Sequence, residues 1–428
     1  MNRLINTVIQ HNNYHIRTFG ESMLPILKPN DIVYFTKVPY LNIQVNDIVV
    51  FSQKNQLITH RVIYKTPYYL LCKGDNNRQL DGKIKKVQII GKVEKILRKK
   101  QLFNITDIYL LHSSLYLQEL DKISKETTRC RIKIITLKGL SLTLWLNKTY
   151  PKRLFADWDV LIKLQDLPQF VRILKQLKYR REPNNAYRLI QKFLHKENKE
   201  FVYTKVVHGY RINIDTHLEA TFLTHHVSVP FGPLQQINQS VTRVLWKNIR
   251  QATVNQQHYY FLNNEFLIFY LCLHFFSHNY QGIHRLDFIH QVINKLGRNI
   301  DWDKILETGL DLKVVNYILP VFYLLSRYFE FSLPASLQTY PFINHYCWSR
   351  QIFHMLHQKN DLFGETQSLF SKRLKKALLI FFLADYGWLS KFTWLINPRL
   401  IIHAGYFLLL FIWTRTIKGL RIRKNPTQ

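Results

Sequence analysis

The 428-residue chain is poor in cysteine and in acidic residues, and both shortages limit the kinds of site and binding partner that it could have. Its four cysteines are widely separated and form no CxxC pair, which argues against a zinc site or a disulfide framework and for a reducing cytoplasm. Only 28 Asp and Glu accompany 60 Lys and Arg, so the formal net charge is +32. This excess would attract polyanions, namely nucleotides, nucleic acid or an anionic membrane surface, although a codon bias toward Lys, Asn and Ile would give the same composition.

Long hydrophobic runs are also scarce. The first 20 residues contain no run that would form a signal peptide or a membrane anchor. Residues 400–413 are apolar (LIIHAGYFLLLFIW), but this run is shorter than the roughly 20 residues that a membrane-spanning helix needs. With the basic tail that follows, the pattern predicts a buried helix or a helix that lies on an anionic membrane surface. We therefore expect a cytoplasmic protein, with peripheral membrane attachment as the alternative.

The chain is too long for one ordinary hydrophobic core, and its pattern changes along its length. Residues 1–98 contain short apolar runs broken by Asn, Asp, Gly and Pro, which is typical of an all-β domain. Residues 99–128 suit a linker or connecting helix, and residues 129–240 alternate between strand-like and helix-like segments. Residues 241–428 have an almost wholly helical pattern. The sequence predicts a multidomain protein with an all-β domain, an α/β core and a large helical C-terminal region.

The all-β region contains the side chains of a serine peptidase in chain order. Ser22 lies in GESMLPILKPNDIV, His60 in LITHRVI, and Asp75 and Asp81 in KGDNNRQLDG. A serine is a weak nucleophile until a neighbouring base removes its proton, and a third group usually orients that base. Singly, a turn serine, a strand histidine and a GDNN hairpin turn are ordinary structural features. Their joint order is what indicates hydrolytic chemistry.

The same segments resemble the successive boxes of the signal peptidase I superfamily (S24/S26-type serine peptidases). The similarity covers residues 16–98 and includes G-x-S-M-x-P, PNDIV, VNDIVVF, THRV, KGDNN and IIGKV. The histidine in the THRV box makes the chain similar to the Ser/His branch of that superfamily. The resemblance implies Ser22 as nucleophile, His60 as base, Asp81 as orienting acid and Asp75 as an auxiliary carboxylate, with a peptide or leader peptide as substrate. The chain departs from the superfamily in having a short β-domain and no N-terminal membrane helix.

A second constellation lies in the α/β region. Asp157 and Asp159 are two residues apart on a predicted strand, DWDVLI, so both carboxylates point to one face. That spacing lets them share divalent metals that hold a triphosphate, and Asp215 in the predicted strand INID could complete a two-metal site. An Asp-x-Asp pair is also common on exposed edge strands. His217 and His274 are candidates for lining the same cleft, although histidines packed in a core are commoner.

Three further residues are candidates for binding phosphate. Gly139 lies between a strand and a helix, where backbone N–H groups can receive phosphate oxygens. Lys138 and Arg153 could neutralise phosphate charge. A lone glycine at such a junction is otherwise ordinary.

Together LKG, Arg153, DWDVLI and IDTHLE resemble a group of uncharacterised nucleotidyltransferases with a DNA polymerase β-like catalytic fold. The similarity covers about residues 129–400, and the chain differs in having Leu140 after the glycine, where Ser or Gly is usual. It implies Mg²⁺ held by Asp157 and Asp159, with Asp215 as the third ligand, and a nucleoside triphosphate as substrate.

Relatives of both kinds occur beside genes for ribosomally made, modified peptides, so the resemblance implies a bifunctional chain that trims and modifies a peptide. Two alternatives stay open. Either domain could bind a peptide or a nucleotide without turnover. The chain could also be a peripheral membrane protein beside an export machine.

Overall fold

The computed structural model describes residues 14–77, 79–182, 199–220 and 232–338, together with residues 375, 376, 379, 380 and 383. The predicted apolar segment at residues 400–413 lies outside them. Among the described residues, no helix combines the length and the apolar character that crossing a membrane requires.

The N-terminal region is an eight-stranded antiparallel sheet with the order β1-β2-β7-β3-β4-β5-β6, in which β8 also pairs with β7. Its strands are β1 (Tyr14–Arg17), β2 (Ile32–Thr36), β3 (Ile48–Gln53), β4 (Gln56–Lys65), β5 (Tyr69–Lys73), β6 (Lys83–Lys85), β7 (Ile89–Arg98) and β8 (Gln101–Asn104). Short 3₁₀ turns occur at Tyr40–Asn42 and Lys86–Gln88.

The central strand β3 is buried on both faces, which explains its continuous apolar run IVVF. Ile48 and Val50 belong to one hydrophobic cluster, whereas Val49 and Phe51 belong to another on the opposite face. This alternation follows from the two-residue period of a strand. The sheet is therefore a packed layer with a core on each side.

One 25-residue helix, α1 (Ile105–Arg129), connects the two halves of the molecule. Near its start, Ile108 and Tyr109 pack in a core of the N-terminal sheet. Farther along, Tyr116 and Leu120 pack in the much larger core of the following region. The segment predicted as a linker or connecting helix thus contains a helix whose buried face packs in the cores of both regions.

The second region contains a seven-stranded mixed sheet with the order β11-β12-β13-β10-β9-β15-β14. Its strands are β9 (Ile134–Lys138), β10 (Asp157–Ile162), β11 (Arg180–Arg181), β12 (Glu200–Val207), β13 (Tyr210–His217), β14 (Ile249–Val254) and β15 (Gln257–Leu262). The pairs β10–β13 and β9–β15 are parallel, and the other pairs are antiparallel.

Helices accompany this sheet and dominate the chain after it. They are α2 (Leu140–Asn147), α3 (Leu167–Gln176), α4 (Gly232–Lys247), α5 (Asn264–Ser277), α6 (Ile283–Leu296), α7 (Trp302–Asp311), α8 (Val315–Tyr328) and α9 (Ala335–Gln338), with a 3₁₀ turn at Leu164–Asp166. The architecture confirms the predicted fold class, an all-β domain followed by an α/β core and a helical region.

One part of the pattern prediction was wrong. Residues after about 240 were expected to be almost wholly helical, but β14 and β15 form a hairpin that extends the mixed sheet. Its two-residue turn, Asn255 and Gln256, has φ angles of 47° and 64°. Left-handed residues of this kind suit a tight hairpin turn, and the flanking Thr, Val, Tyr and Phe favour strands. The local turn chemistry therefore outweighed the helical pattern around it.

Two candidate active sites

Ser22, His60 and Asp81 form a continuous chain of hydrogen bonds in the N-terminal region. Ser22 Oγ lies 2.9 Å from His60 Nε2, and His60 Nδ1 lies 2.7 Å from Asp81 Oδ2. His60 is only 6% exposed, whereas Ser22 and Asp81 are partly accessible. A carboxylate on Nδ1 favours the tautomer in which Nε2 can accept the serine proton. The arrangement can therefore support nucleophilic attack by Ser22.

The loop that carries Ser22 is fixed against the turn after β5. The Ser22 carbonyl accepts a hydrogen bond from the backbone N–H of Asn76 at 2.8 Å. A Cβ atom on Gly74 would lie 2.6 Å from the Ser22 carbonyl oxygen and 3.0 Å from His60 Nε2. This position therefore requires glycine, because any side chain would displace the nucleophile or the base.

Asp81 is anchored through its backbone. Its N–H donates to the carbonyl of Cys72 at 2.9 Å, and its own carbonyl accepts a hydrogen bond from the Gln53 side chain at 2.7 Å. Asp75 faces a different partner, since both of its carboxylate oxygens accept from Arg61 at 2.6 Å. The structure therefore places Asp81, and not Asp75, against the imidazole of His60.

Arg61 is a residue that the sequence analysis missed. It follows His60 on β4, so its side chain points to the opposite face of the sheet. Besides Asp75, the buried guanidinium donates to the Asn46 carbonyl at 2.9 Å and to the Tyr109 hydroxyl at 2.7 Å. Burial lowers the pKa of Arg61, but the hydrogen bonds and charge of Asp75 outweigh it and raise the pKa above its usual range. The arginine beside the histidine in THRV was the available signal.

The second site is a cluster of three carboxylates on two neighbouring strands. The parallel pairing of β10 with β13 places Asp159 directly opposite Asp215. Asp157 precedes Asp159 by two residues and points to the same face of β10. One oxygen atom from each of the three side chains lies within 4.8 Å of the others. The sheet register thus brings together the three predicted metal ligands.

The carboxylates of this cluster repel one another, and this repulsion affects their pKa values. Burial, and then the charges of Asp159 and Asp157, raises the pKa of Asp215 to about 7. Burial and Asp159 likewise raise the pKa of Asp157. For Asp159 burial is outweighed by Lys138 and His217, which hold its pKa well below its usual range. The oxygen donors and their mutual repulsion fit a divalent cation such as Mg²⁺.

The predicted phosphate-binding residues lie beside this cluster. Lys138 Nζ is 3.0 Å from Asp159 Oδ2, so this lysine already has a carboxylate partner. Gly139 has a φ of 110° and precedes α2, and an added Cβ would lie 3.2 Å from the Asp157 carbonyl oxygen. The Arg153 guanidinium stacks 4.5 Å from the centre of the Phe155 ring. Glycine is therefore required at position 139, where α2 begins next to Asp157.

Other polar groups converge on the same place. His217 Nε2 lies 3.3 Å from Asp159 Oδ1. Burial and the charge of Asp159 raise the pKa of Asp157, and the charges of Lys138, Arg153 and Arg285 oppose that rise. Arg285 lies in the first turn of α6, and the sequence analysis did not single it out as a site residue. The segment GIHRLD, in which charged residues follow a glycine at a helix start, was the signal.

Comparison with known families agrees with this division. Residues 3–94 match the model of a Peptidase S24-like family, and residues 86–330 match that of an uncharacterised nucleotidyltransferase family. No curated protein matches the chain. The predicted fusion of the two kinds of domain is therefore confirmed. Because the second match covers more than half of the chain, the protein belongs to this family of uncharacterised nucleotidyltransferases and carries a Peptidase S24-like domain in front.

Proposed function

We propose that the N-terminal domain is a serine endopeptidase with Ser22 as nucleophile, His60 as general base and Asp81 as the residue that orients it. The observation that carries the proposal is the unbroken chain of hydrogen bonds from Ser22 Oγ to Asp81 Oδ2. Asp75 has the supporting role of holding Arg61 behind the site. The substrate would be a peptide, with a leader peptide as the favoured class.

In this mechanism Ser22 Oγ attacks a peptide carbonyl carbon while His60 Nε2 takes the hydroxyl proton. The carbon–nitrogen bond then breaks, His60 returns the proton to the leaving amine, and an ester joins Ser22 to the acyl half of the substrate. Water, activated by the same histidine, attacks the ester and releases the carboxylate product and Ser22. Asp81 stabilises the imidazolium throughout by accepting from Nδ1–H.

Labelling with an acylating serine probe tests the peptidase. We expect the wild type and Ser52→Ala to be labelled, because Ser52 is a half-buried serine of the same sheet outside the triad. Ser22→Ala and His60→Ala should lose labelling while keeping the wild-type circular dichroism spectrum. Labelling of folded Ser22→Ala would overturn the assignment. A folded wild type that is not labelled would favour a domain that binds peptides without cleaving them.

We also propose that the second domain is a metal-dependent nucleotidyltransferase. The specific observation in favour is the cluster of Asp157, Asp159 and Asp215 beside the helix start at Gly139. Bound Mg²⁺ would supply positive charge that stabilises the triphosphate during transfer. Asp157 and Asp159 would hold the metal, and Asp215 would be the third ligand. Gly139 would let phosphate oxygens approach the N–H groups that begin α2.

Transfer from labelled nucleoside triphosphates tests this second proposal. Asp157→Asn combined with Asp159→Asn should lower transfer at least about 10³-fold, because both metal ligands lose their charge. Asp303→Asn combined with Asp311→Asn makes the same change at exposed positions of α7 and should leave transfer unchanged. Undiminished transfer by the first double variant would remove the proposal.

The two proposals together describe a bifunctional protein that processes and modifies a peptide. A chain that carries both sites could trim a leader and attach a nucleotidyl group to the same product. Mass spectrometry of a candidate peptide incubated with the full chain, Mg²⁺ and nucleoside triphosphates would show both changes. A peptide cleaved but never modified would separate the two activities.

A further inference from the structure

A groove of about 450 Å³ lies in the transferase region, and no residue of either candidate site lines it. Helix α3 contributes Leu167, Val171 and Lys175 to its lining, and strand β12 contributes Phe201 and Tyr203. Strand β11 and the turn before it supply the rest of the lining. The groove is therefore a separate concave surface that neither proposed activity uses.

The apolar part of the groove follows from the periods of its two main elements. Leu167 and Val171 are four residues apart on α3 and share a face, and Phe201 and Tyr203 are two residues apart on β12 and share a face. The first three of these side chains are only half-buried, so apolar surface remains open in the groove. From Leu167 to Lys175 the helix rises about 12 Å, which is the length of about four residues of extended chain.

Three exposed cations, Lys175, Arg180 and Arg181, line the groove where α3 ends and β11 begins. The guanidinium of Arg181 lies 4.4 Å from the centre of the Phe201 ring. In the part of the chain that the structure describes, no hydrogen bond or ion pair engages the side-chain N–H groups of these three residues. A guanidinium stacked on an aromatic ring keeps its N–H edge available for a carboxylate. Asp166, which precedes α3, lies at the other end of that helix.

Two carboxylates near these cations already have other partners. Glu119 accepts a hydrogen bond from the Tyr179 hydroxyl at 3.3 Å and forms an ion pair with Lys205. Glu182, which directly follows β11, forms an ion pair with Arg211. The positive charge at the groove is therefore not neutralised by either of them, and it favours an anionic ligand.

Charge and size together indicate the occupant. Residues 183–198, which lie between β11 and β12 in the sequence, contain three Lys or Arg and one Glu, so their charge has the same sign as that of the groove. A ligand with several carboxylates complements three separate cations, whereas the single carboxylate of a fatty acid complements only one of them. The volume of about 450 Å³ lies within the roughly 300–1,000 Å³ of ligand sites and leaves room for apolar side chains beside α3.

We propose that this groove binds an acidic segment of a peptide, with apolar side chains of the peptide between α3 and β12 and its carboxylates on Lys175, Arg180 and Arg181. The choice of a peptide rests on the proposed function, in which a peptide is the substrate. The inference adds a recognition site outside both catalytic sites and states the composition that this site selects. A peptide held by one segment also keeps its other segments at a high local concentration around the chain.

Fluorescence anisotropy of a labelled octapeptide of alternating leucine and glutamate tests the proposal. The probe is titrated at low salt with the full chain carrying Ser22→Ala, so that it is not cleaved. We expect Arg180→Gln combined with Arg181→Gln to weaken binding at least about tenfold, because two charge-assisted contacts are lost. Arg172→Gln combined with Arg298→Gln removes the same charge from exposed arginines that do not line the groove and should leave the affinity unchanged.

A second pair of variants tests the apolar contact. Val171→Ser should weaken binding about threefold, because a half-buried apolar surface of the groove is lost. Leu164→Ser changes a leucine that is 63% exposed and lies outside the groove, and it should bind as the parent chain does. An octapeptide of alternating leucine and lysine should not bind measurably. Thermal unfolding of each variant checks its fold.

Undiminished affinity in the variant with Arg180→Gln and Arg181→Gln would overturn the proposal, as would a full chain that does not bind the acidic probe. A peptide of residues 183–198 that displaces the probe at a lower concentration than the unlabelled acidic peptide does would assign the groove to the chain's own segment and overturn it. A single-stranded oligonucleotide with that effect would overturn it in favour of nucleic acid. If Ser22 were never acylated and no nucleotide were transferred, but the probe bound in an Arg181-dependent way, the peptide site would stand and the two activities would not.

Discussion

The two candidate sites handle charge in opposite ways. In the N-terminal site the polar side chains pair with complementary groups. Ser22, His60 and Asp81 are joined by hydrogen bonds, and Arg61 forms an ion pair with Asp75. In the transferase region one oxygen atom from each of three carboxylates lies within 4.8 Å of the others, and after burial the charge of Asp159 raises the pKa values of Asp157 and Asp215. The first site is complete as the chain folds. The second pairs one of its carboxylates with Lys138 and leaves a cluster of oxygen ligands that we propose binds a divalent cation.

Changing Asp81 to Asn should have the largest effect. The amide is uncharged and its N–H can donate to Nδ1, so His60 would lose both the tautomer in which Nε2 accepts a proton and the charge that stabilises its imidazolium. We expect acylation by a serine probe to slow about 10⁴-fold. Asp75→Asn makes the same change six residues earlier, at a carboxylate that faces Arg61, and should keep acylation within several-fold of wild type. Equal losses in both variants would contradict the separate roles.

The same change from Asp to Asn should affect stability in opposite directions in the two regions. Asp75→Asn leaves the buried charge of Arg61 without its ion-pair partner, and we expect the free energy of unfolding to fall by about 3 kcal/mol. Asp157→Asn removes one of three repelling carboxylates, so the metal-free protein should be at least as stable as wild type. Denaturant unfolding in EDTA compares the two. Destabilisation by Asp157→Asn as large as that by Asp75→Asn would remove the contrast.

The sequence predicted the first site better than its surroundings. The sequence around Ser22 predicts a loop, and the sequence around His60 predicts a strand. The choice between Asp75 and Asp81, by contrast, came from a family resemblance. No local pattern could make that choice, because it depends on how the turn after β5 folds back on β4. The role of Arg61 is also tertiary. Its partners Asn46, Asp75 and Tyr109 come from three other parts of the chain.

In the second region, too, the local sequence alone could not identify the site. The tripeptide Asp-Trp-Asp occurs twice there, once on a strand and once at the start of a helix. Asp157 and Asp159 lie on a strand, where residues two apart share a face. Asp301 caps α7 and Asp303 lies in its first turn, where residues two apart do not face each other. Only the pairing of β10 with β13 brings a third carboxylate, Asp215, to the first pair. That pairing is a long-range contact.

Acid should weaken the junction between the regions. His112 of α1 is 3% exposed, its ring contacts Tyr116 and Tyr210, and burial lowers its pKa to about 4. As pH falls from 6.5, the unfolded chain takes up the proton first, so stability is lost down to about pH 4. A shift from 6.5 to about 4 corresponds to about 3 kcal/mol. His112→Phe should remove this loss.

Two signals can follow the unfolding of the two regions separately and so test whether the junction couples them. All eight tryptophans lie after residue 144, and the described ones, Trp145, Trp158, Trp246 and Trp302, lie in the second region and report it by their fluorescence, whereas labelling of Ser22 reports the first. We expect both signals to be lost at the same denaturant concentration between pH 4 and 6.5, because α1 belongs to both cores. Loss of fluorescence while labelling persists would show that the two regions unfold independently.

The smallest expected effect is the most direct test of the contrast between the sites. The proposed function has Mg²⁺ bind the folded carboxylate cluster and not the unfolded chain, and on that proposal ten times its dissociation constant should stabilise the wild type by about 1.4 kcal/mol. That corresponds to a rise in melting temperature of a few degrees. Asp157→Asn combined with Asp159→Asn should abolish the rise, whereas Asp81→Asn should keep it, because the triad lies outside the cluster. Mg²⁺ that stabilised the double variant as much as the wild type would place the cation elsewhere, and the second site would then lack the partner that its three like charges require.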